Sequence, residues 1–208
     1  MIAGRCRIAI LASGNGSNFQ AIVDATASGR LDADVVGLIT DRPDAYAVHR
    51  AEASGIPVRV VPRAVAEERK QHDTRLADTL AGLTPDLVVL AGWMRLLSME
   101  FLGRFPGQVI NLHPALPGEF PGTRAIERAL EAAQRLGLRR TGVMVHYVPD
   151  EGMDDGPVIE TGEVVIEDAD TIETLTTRVH EAEHEVIVRA LQHLIAESTG
   201  PPNFREGS

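Results

Sequence analysis

The sequence predicts an α/β fold: a Rossmann-like open sheet, mostly parallel, with helices on both faces and an antiparallel strand pair near the C-terminus. Three observations predict it. Apolar, β-branched runs alternate with helical patterns through residue 112, a rhythm that gives parallel strands joined by crossover helices. The run Leu87-Val88-Val89-Leu90-Ala91 is apolar at every position, as a strand covered on both faces must be. Beyond residue 112 the rhythm breaks, and two strand-like stretches follow one another across a short acidic turn.

The elements follow in order. Residues 7–12 form a strand, 13–17 a loop, and 18–28 an amphipathic helix. A strand at 35–40, a helix near 45–54 and a short strand at 57–61 come next. A longer helix is predicted over 65–83, ended by Thr84-Pro85 because the residue before proline is pushed out of helical geometry. The strand at 87–91, a short helix near 99–105 and a strand at 109–112 complete the parallel part. A Pro/Gly-rich loop at 113–122 leads to a helix over 123–136, and strands at 142–148 and 158–166 flank the turn 149–156. The last helix covers 171–197. Residues 1–198 are read as a single domain and 199–208, with Gly-Pro-Pro and small polar residues, as a disordered tail.

Composition narrows the function. A net charge of −10 argues against nucleic acid as a partner, because such a surface needs a basic patch. It does not argue against a phosphorylated small molecule, which backbone N–H groups at a helix N-terminus hold whatever the overall charge. No run of about 18 apolar residues occurs, so a membrane-spanning helix is not expected. With Cys6 as the single cysteine, no intrachain disulfide and no cysteine-based metal site can form. A cytoplasmic location is the expectation.

Four stretches carry chemistry. Ser13-Gly14-Asn15-Gly16-Ser17-Asn18 lies between the first strand and the first helix, where a doubly wound fold offers amides to a phosphate. Its glycines permit positive φ, and Ser17 or Asn18 can cap the helix. The alternative is a plain tight turn. Phe19 stands where a dinucleotide fingerprint needs its third glycine, and the lysine of a P-loop is absent, so a monophosphate fits better. Asn111-Leu112-His113-Pro114 ends a buried strand, with Asn111 and His113 on one face. An amide beside an imidazole can hold a carbonyl oxygen and protonate it as charge develops. The acidic turn Asp150-Glu151-Gly152-Met153-Asp154-Asp155-Gly156-Pro157 lacks the ligand spacing of an EF-hand. A carboxylate from it that reached His113 would raise the imidazole pKa. Between them, Gly92 gives a ligand close approach, Met94, Leu96 and Leu97 can wall an apolar slot, and Arg95 can pair with an anion.

Taken together, residues 13–18, 91–97, 111–114 and 150–157 closely resemble the phosphoribosylglycinamide formyltransferase family, folate-dependent enzymes of purine biosynthesis, over about residues 7–196. The resemblance implies the formyltransferase fold and transfer of a formyl group from 10-formyltetrahydrofolate, as co-substrate, to the amine of glycinamide ribonucleotide. It implies no metal. Gly16, Ser17 and Asn18 match the segment holding the nucleotide phosphate, and His180 and Glu183 a second substrate segment, with Glu183 near the ribose. Arg69, Met94, Arg95, Leu96, Leu97 and Asn111, with Val148, Asp150, Glu151 and Met153 of the pterin-facing loop, match the folate side. Asn111, His113 and Asp154 match the catalytic trio. Small-molecule partners and a monomer or homodimer follow.

The chain departs from the family at Ala115-Leu116-Pro117-Gly118, where Ser-Leu-Leu-Pro is usual, and at Arg124, where a histidine is expected. The acidic turn is about one residue longer than in some relatives, so Asp154 and Asp155 both compete for the catalytic position. The spacing to Pro157 favours Asp154. Rival readings are a methionyl-tRNA formyltransferase, expected to be more basic and to carry a tRNA domain, and a formyltetrahydrofolate hydrolase with a regulatory domain. An NAD-dependent dehydrogenase using Asp41 as ribose anchor, and a non-catalytic nucleotide sensor, are the readings from other classes.

Overall fold

The computed structural model describes residues 4–199; of the expected tail 199–208, Thr199 belongs to the last helix and the rest lies outside the described residues. Seven strands form one sheet: β1 (Cys6–Leu11), β2 (Ala33–Thr40), β3 (Val58–Val60), β4 (Leu87–Leu90), β5 (Val109–His113), β6 (Arg140–Tyr147) and β7 (Val158–Val165). Six helices accompany them: α1 (Ser17–Ala27), α2 (Tyr46–Ala53), α3 (Arg69–Ala81), α4 (Met99–Leu102), α5 (Ala125–Leu136) and α6 (Ile172–Thr199). The strand order is β3-β2-β1-β4-β5-β6-β7. The first five strands are parallel, while β6 runs antiparallel to both β5 and β7. The expected mostly parallel sheet with an antiparallel pair at its C-terminal edge is therefore present. The chain reverses its winding direction between β1 and β4, which opens a crevice at their carboxyl ends.

The continuous apolar runs have the cause expected of them. In β1, Ile8 and Ile10 enter the core on one face, while Ala9 and Leu11 enter a second core on the other. Val89 of β4 faces the first core, and Val88 and Leu90 face the second. The first core is closed by α1, α2, α5 and α6, the second by α3 and α4. No helix of the described residues is long and apolar enough to cross a membrane.

Helix α3 begins four residues later than its pattern predicts. Residues 62–68 form a turn instead, because Arg75 holds the Pro62 carbonyl at 2.9 Å and both oxygens of Glu67, and Glu67 accepts the Ala64 N–H at 3.1 Å. Val65, the first residue of the expected helix, is fully exposed. A side-chain network outweighs the few tenths of a kcal/mol per residue that propensity supplies.

The antiparallel pair depends on Gly142, where β6 crosses β7 and the loop after β5. A Cβ there would meet the Gly162 carbonyl at 2.3 Å and Leu116 at 2.5 Å. Gly142→Ala is therefore expected to destabilise the protein by about 1–3 kcal/mol through overpacking, read as a lower midpoint in urea unfolding. An unchanged midpoint would mean that this contact is not constrained.

Candidate active site

The loops after β1, β4 and β5, the β6–β7 turn, the N-terminal ends of α1 and α5, and one side of α6 enclose a cavity of about 910 Å³. Of the residues singled out in the sequence, Gly16, Ser17, Asn18, Met94, Arg95, Leu96, Leu97, Asn111, His113, Val148, Asp150, Met153, Asp154, His180 and Glu183 line it. Two do not. Arg69 and Glu151 form an ion pair with each other, and Arg69 borders a smaller neighbouring cavity of about 280 Å³ that shares Met94, Arg95 and Leu96 with the main one. Their placement is set by that pair and by the Met99 N–H, which Glu151 accepts at 3.0 Å.

At one end, the loop between β1 and α1 is locked by its neighbours. Gly16 has φ 75°, and a Cβ on it would lie 2.7 Å from Ala47, so α2 packs directly on the loop. The Ala47 N–H donates to the Gly14 carbonyl at 3.1 Å, and Arg50 holds the Asn15 carbonyl at 2.9 Å and its side-chain oxygen at 3.0 Å. The expected cap by Ser17 or Asn18 is not made: Gly16 is the N-cap and no side chain caps α1. The first-turn amides are left for a ligand. Asn18 instead donates to Glu183 on α6 at 3.0 Å. Glu183 is 6% exposed, and its burial pushes the carboxyl up to about 7. His180 lies 3.9 Å from it.

In the middle, the loops after β1 and β4 are tied together by the Ser13 N–H to the Gly92 carbonyl at 3.1 Å and the Met94 N–H to Ser13 Oγ at 3.2 Å. Met94 and Leu96 are exposed on this side and Met153 faces them across the cavity, an apolar slot without a protein cover. Arg95 is not a free cation. It pairs at 2.6 Å with Asp41, whose carboxyl is raised by burial but drawn below its usual range by hydrogen bonds from Ser13 and Arg95 and by the guanidinium charge. Asp41 is thus engaged by protein, which removes the ribose anchor of a dehydrogenase.

At the third corner, Asn111, His113 and Asp154 meet. The Asp154 carboxylate accepts from Asn111 Nδ2 at 3.0 Å and from the Gly122 N–H at 2.7 Å, and it lies 3.3 Å from His113 Nδ1. No bond of this kind joins Asp155 to His113, so geometry agrees with the spacing argument. Burial alone would raise the Asp154 carboxyl, but hydrogen bonding, the Gly122 N–H included, and the positive charge of a protonated His113 outweigh it and lower the pKa. His113 is 4% exposed, and burial lowers its pKa below the ordinary 6.5. The Asp154 charge and the Phe120 carbonyl act the other way without compensating. The expected upward pull of the carboxylate is present, but burial is the larger effect and the net shift is downward.

Sequence reasoning missed His146. It sits directly across from Asn111 in the β5–β6 register, after a shift in the β6–β7 pairing at Val145/His146. Its Nδ1 is 2.8 Å from the Tyr147 carbonyl, which can only accept, so Nδ1 carries the proton and Nε2 accepts from Asn111 Nδ2 at 3.1 Å. The antiparallel register of two strands already recognised was the signal. Gly122, whose backbone holds Asp154, and Arg128 on α5 carried none. The family departures resolve simply: Ala115 and Leu116 are buried in the core, whereas Arg124 lines the cavity with φ 59° as N-cap of α5. Among the described residues no group of three His, Cys, Asp or Glu side chains is arranged to hold a metal ion.

The Glu183 environment has a measurable consequence. In the unfolded chain its carboxyl ionises above 4.5, whereas in the fold it keeps its proton up to about 7. Its stabilising contribution is complete below 4.5 and declines as pH rises to about 7, by about 3 kcal/mol. Urea unfolding at pH 5 and pH 8 is expected to show Glu183→Gln gaining on the wild type at the higher pH. A stability difference independent of pH would mean that Glu183 ionises normally.

Comparison with known proteins agrees with the geometry. The sequence pattern of the formyl transferase family matches residues 6–191. A phosphoribosylglycinamide formyltransferase of Schizosaccharomyces pombe is 42% identical over 203 residues, covering 92% of this chain and 98% of that protein. One from Bacillus subtilis is 37% identical, covering 91% and 94%. The crystal structure of phosphoribosylglycinamide formyltransferase from Bacillus halodurans superposes with a TM-score of 0.85 at 40% identity, covering 92% of this chain and 96% of the other. The resemblance carried by the four motifs is borne out, and the chain belongs to the formyl transferase family, beside its phosphoribosylglycinamide formyltransferases.

Proposed function

We propose that this chain transfers the formyl group of 10-formyltetrahydrofolate to the amine of glycinamide ribonucleotide, giving formylglycinamide ribonucleotide and tetrahydrofolate. The observation that carries the reading is one carboxylate, Asp154, within 3.3 Å of both His113 and Asn111 at the wall of a cavity that ends in the N-terminus of α1. The α1 amides at Gly16, Ser17 and Asn18 suit the phosphate, and Glu183 with His180 suits the ribose beyond it. The exposed apolar slot of Met94, Leu96 and Met153 suits the flat rings of the folate, which would cover it. Both substrates are small and soluble, and a monomer or homodimer in the cytoplasm suffices.

The reaction places a particular demand on the site. The amine nitrogen attacks the formyl carbon, a C–N bond forms, and the carbonyl electron pair moves onto oxygen. Donors aimed at that oxygen lower the barrier, because charge develops there only in the transition state. Asn111 and His113 are the donors at hand, and each already has acceptors, so each must exchange a partner as the oxygen charges. His113 meets that oxygen with the N–H it already carries at Nε2, so no further proton is needed there. The attacking nitrogen must lose a proton and the folate nitrogen must gain one as its bond to the carbon breaks. In this reading the Asp154 carboxylate takes the proton from the first nitrogen and returns it to the second, and the exchange balances without other reactants.

A spectrophotometric assay tests the reading: tetrahydrofolate is released only when glycinamide ribonucleotide is present. Release without the amine would make the chain a hydrolase. Asn111→Ala and His113→Ala are each expected to fold yet lose roughly 10²–10³ in kcat, and an unchanged kcat would remove that residue from the mechanism.

A further inference from the structure

One half-buried cation in the cavity wall has no part in the reaction above. Arg128 on α5 brings Nη2 within 2.6 Å of the Phe120 carbonyl and 2.6 Å of the Pro121 carbonyl, and its Nε lies 3.4 Å from the Arg124 carbonyl. Its guanidinium carbon is 5.9 Å from the centre of the Phe120 ring. No backbone N–H of the described residues donates to the Phe120 or Pro121 carbonyl. One cationic side chain therefore gathers three carbonyls of a single turn, two of them on one nitrogen.

That turn reaches the catalytic corner twice. The Phe120 carbonyl lies 3.1 Å from His113 Nε2, and since a carbonyl can only accept, Nε2 carries a proton, while Nδ1 lies 3.3 Å from the Asp154 carboxylate, which favours the other tautomer. Two residues on, the Gly122 N–H donates to Asp154. The turn needs external support to keep this shape. Phe120 has φ 46° and Arg124 φ 59°, conformations strained for a residue with a Cβ.

We propose that Arg128 is a positioning residue for the formyl transfer: by gathering the carbonyls of the 120–124 turn it fixes the His113 tautomer through Phe120 and the Asp154 carboxylate through Gly122. The inference rests on the reaction assigned above for its effect on rate, but its structural half does not. Without the guanidinium, Phe120 can relax out of its left-handed conformation, and the acceptor that selects the Nε2–H form of His113 turns away. A misplacement of about 1 Å in such a pair lowers turnover by up to roughly 100-fold.

The test compares Arg128→Met and Arg128→Lys with the wild type in two measurements. Long-range 1H–15N correlation spectra of the histidine rings at pH 8 report which nitrogen of His113 is protonated, with His113→Asn used to identify its signals. The wild type is expected to show the Nε2–H form, Arg128→Lys to keep it, and Arg128→Met to lose its predominance. In turnover, Arg128→Met is expected to lose roughly 10–100-fold in kcat with KM for the nucleotide within about threefold, and Arg128→Lys to recover part of it. Should the Met variant not fold, Arg128→Gln, which keeps one amide donor, gives the same comparison. An unchanged tautomer in the Met or Gln variant overturns the inference whatever the rates, as does a changed tautomer with wild-type kcat or an equal loss in Lys and Met. A wild-type chain without transferase turnover would strike instead at the assigned reaction, leaving the tautomer comparison standing.

Discussion

The carboxylate of Asp154 is the constraint on which the site depends. It lies in a turn between two antiparallel strands, yet its acceptor oxygens meet a strand-end amide, an imidazole and the backbone of a distant loop. Three parts of the chain are brought into register by one charge. That charge persists while half buried because hydrogen bonds and neighbouring rings hold its pKa down against desolvation. Asn111 spends its two amide hydrogens on Asp154 and His146, so its orientation is fixed before any substrate arrives. Preorganisation of this kind removes reorganisation from the transition state.

Backbone strain collects around the same point. Asp154, Phe120 and Arg124 all have positive φ without being glycine. Each is held by a contact the rest of the fold supplies: the Gly122 N–H and Asn111 for Asp154, and the Arg128 guanidinium for the other two. The two apolar cores on either face of the sheet make that affordable, since they are built from continuous runs such as those of β1 and β4. Rigid strands carry the amide and the imidazole, and loops carry the acid.

Much of this was legible from the residues, and the exceptions have physical causes. The run at 87–91 announced a strand covered on both faces, and it is one. Asn111 and His113 were placed correctly because strand alternation is a local rule. His146 escaped because its partner lies across a strand pair, in a register that only the folded sheet sets. The start of α3 was misjudged because Arg75, later in the chain, holds residues 62–68 in a turn. The direction of the His113 pKa shift was misjudged for a different reason. A sequence reveals a candidate carboxylate partner but not the depth of burial, and here burial dominates.

If Asp154 and His113 act as one unit, removing either should already forfeit most of what the pair contributes. The double-mutant cycle in kcat with Asp154→Asn and His113→Asn measures this directly. The double variant is expected to be little slower than the worse single variant, as residues of one catalytic unit behave. Losses that multiply in full would mean that the two side chains act independently, and the convergence on one carboxylate would not be what drives the reaction.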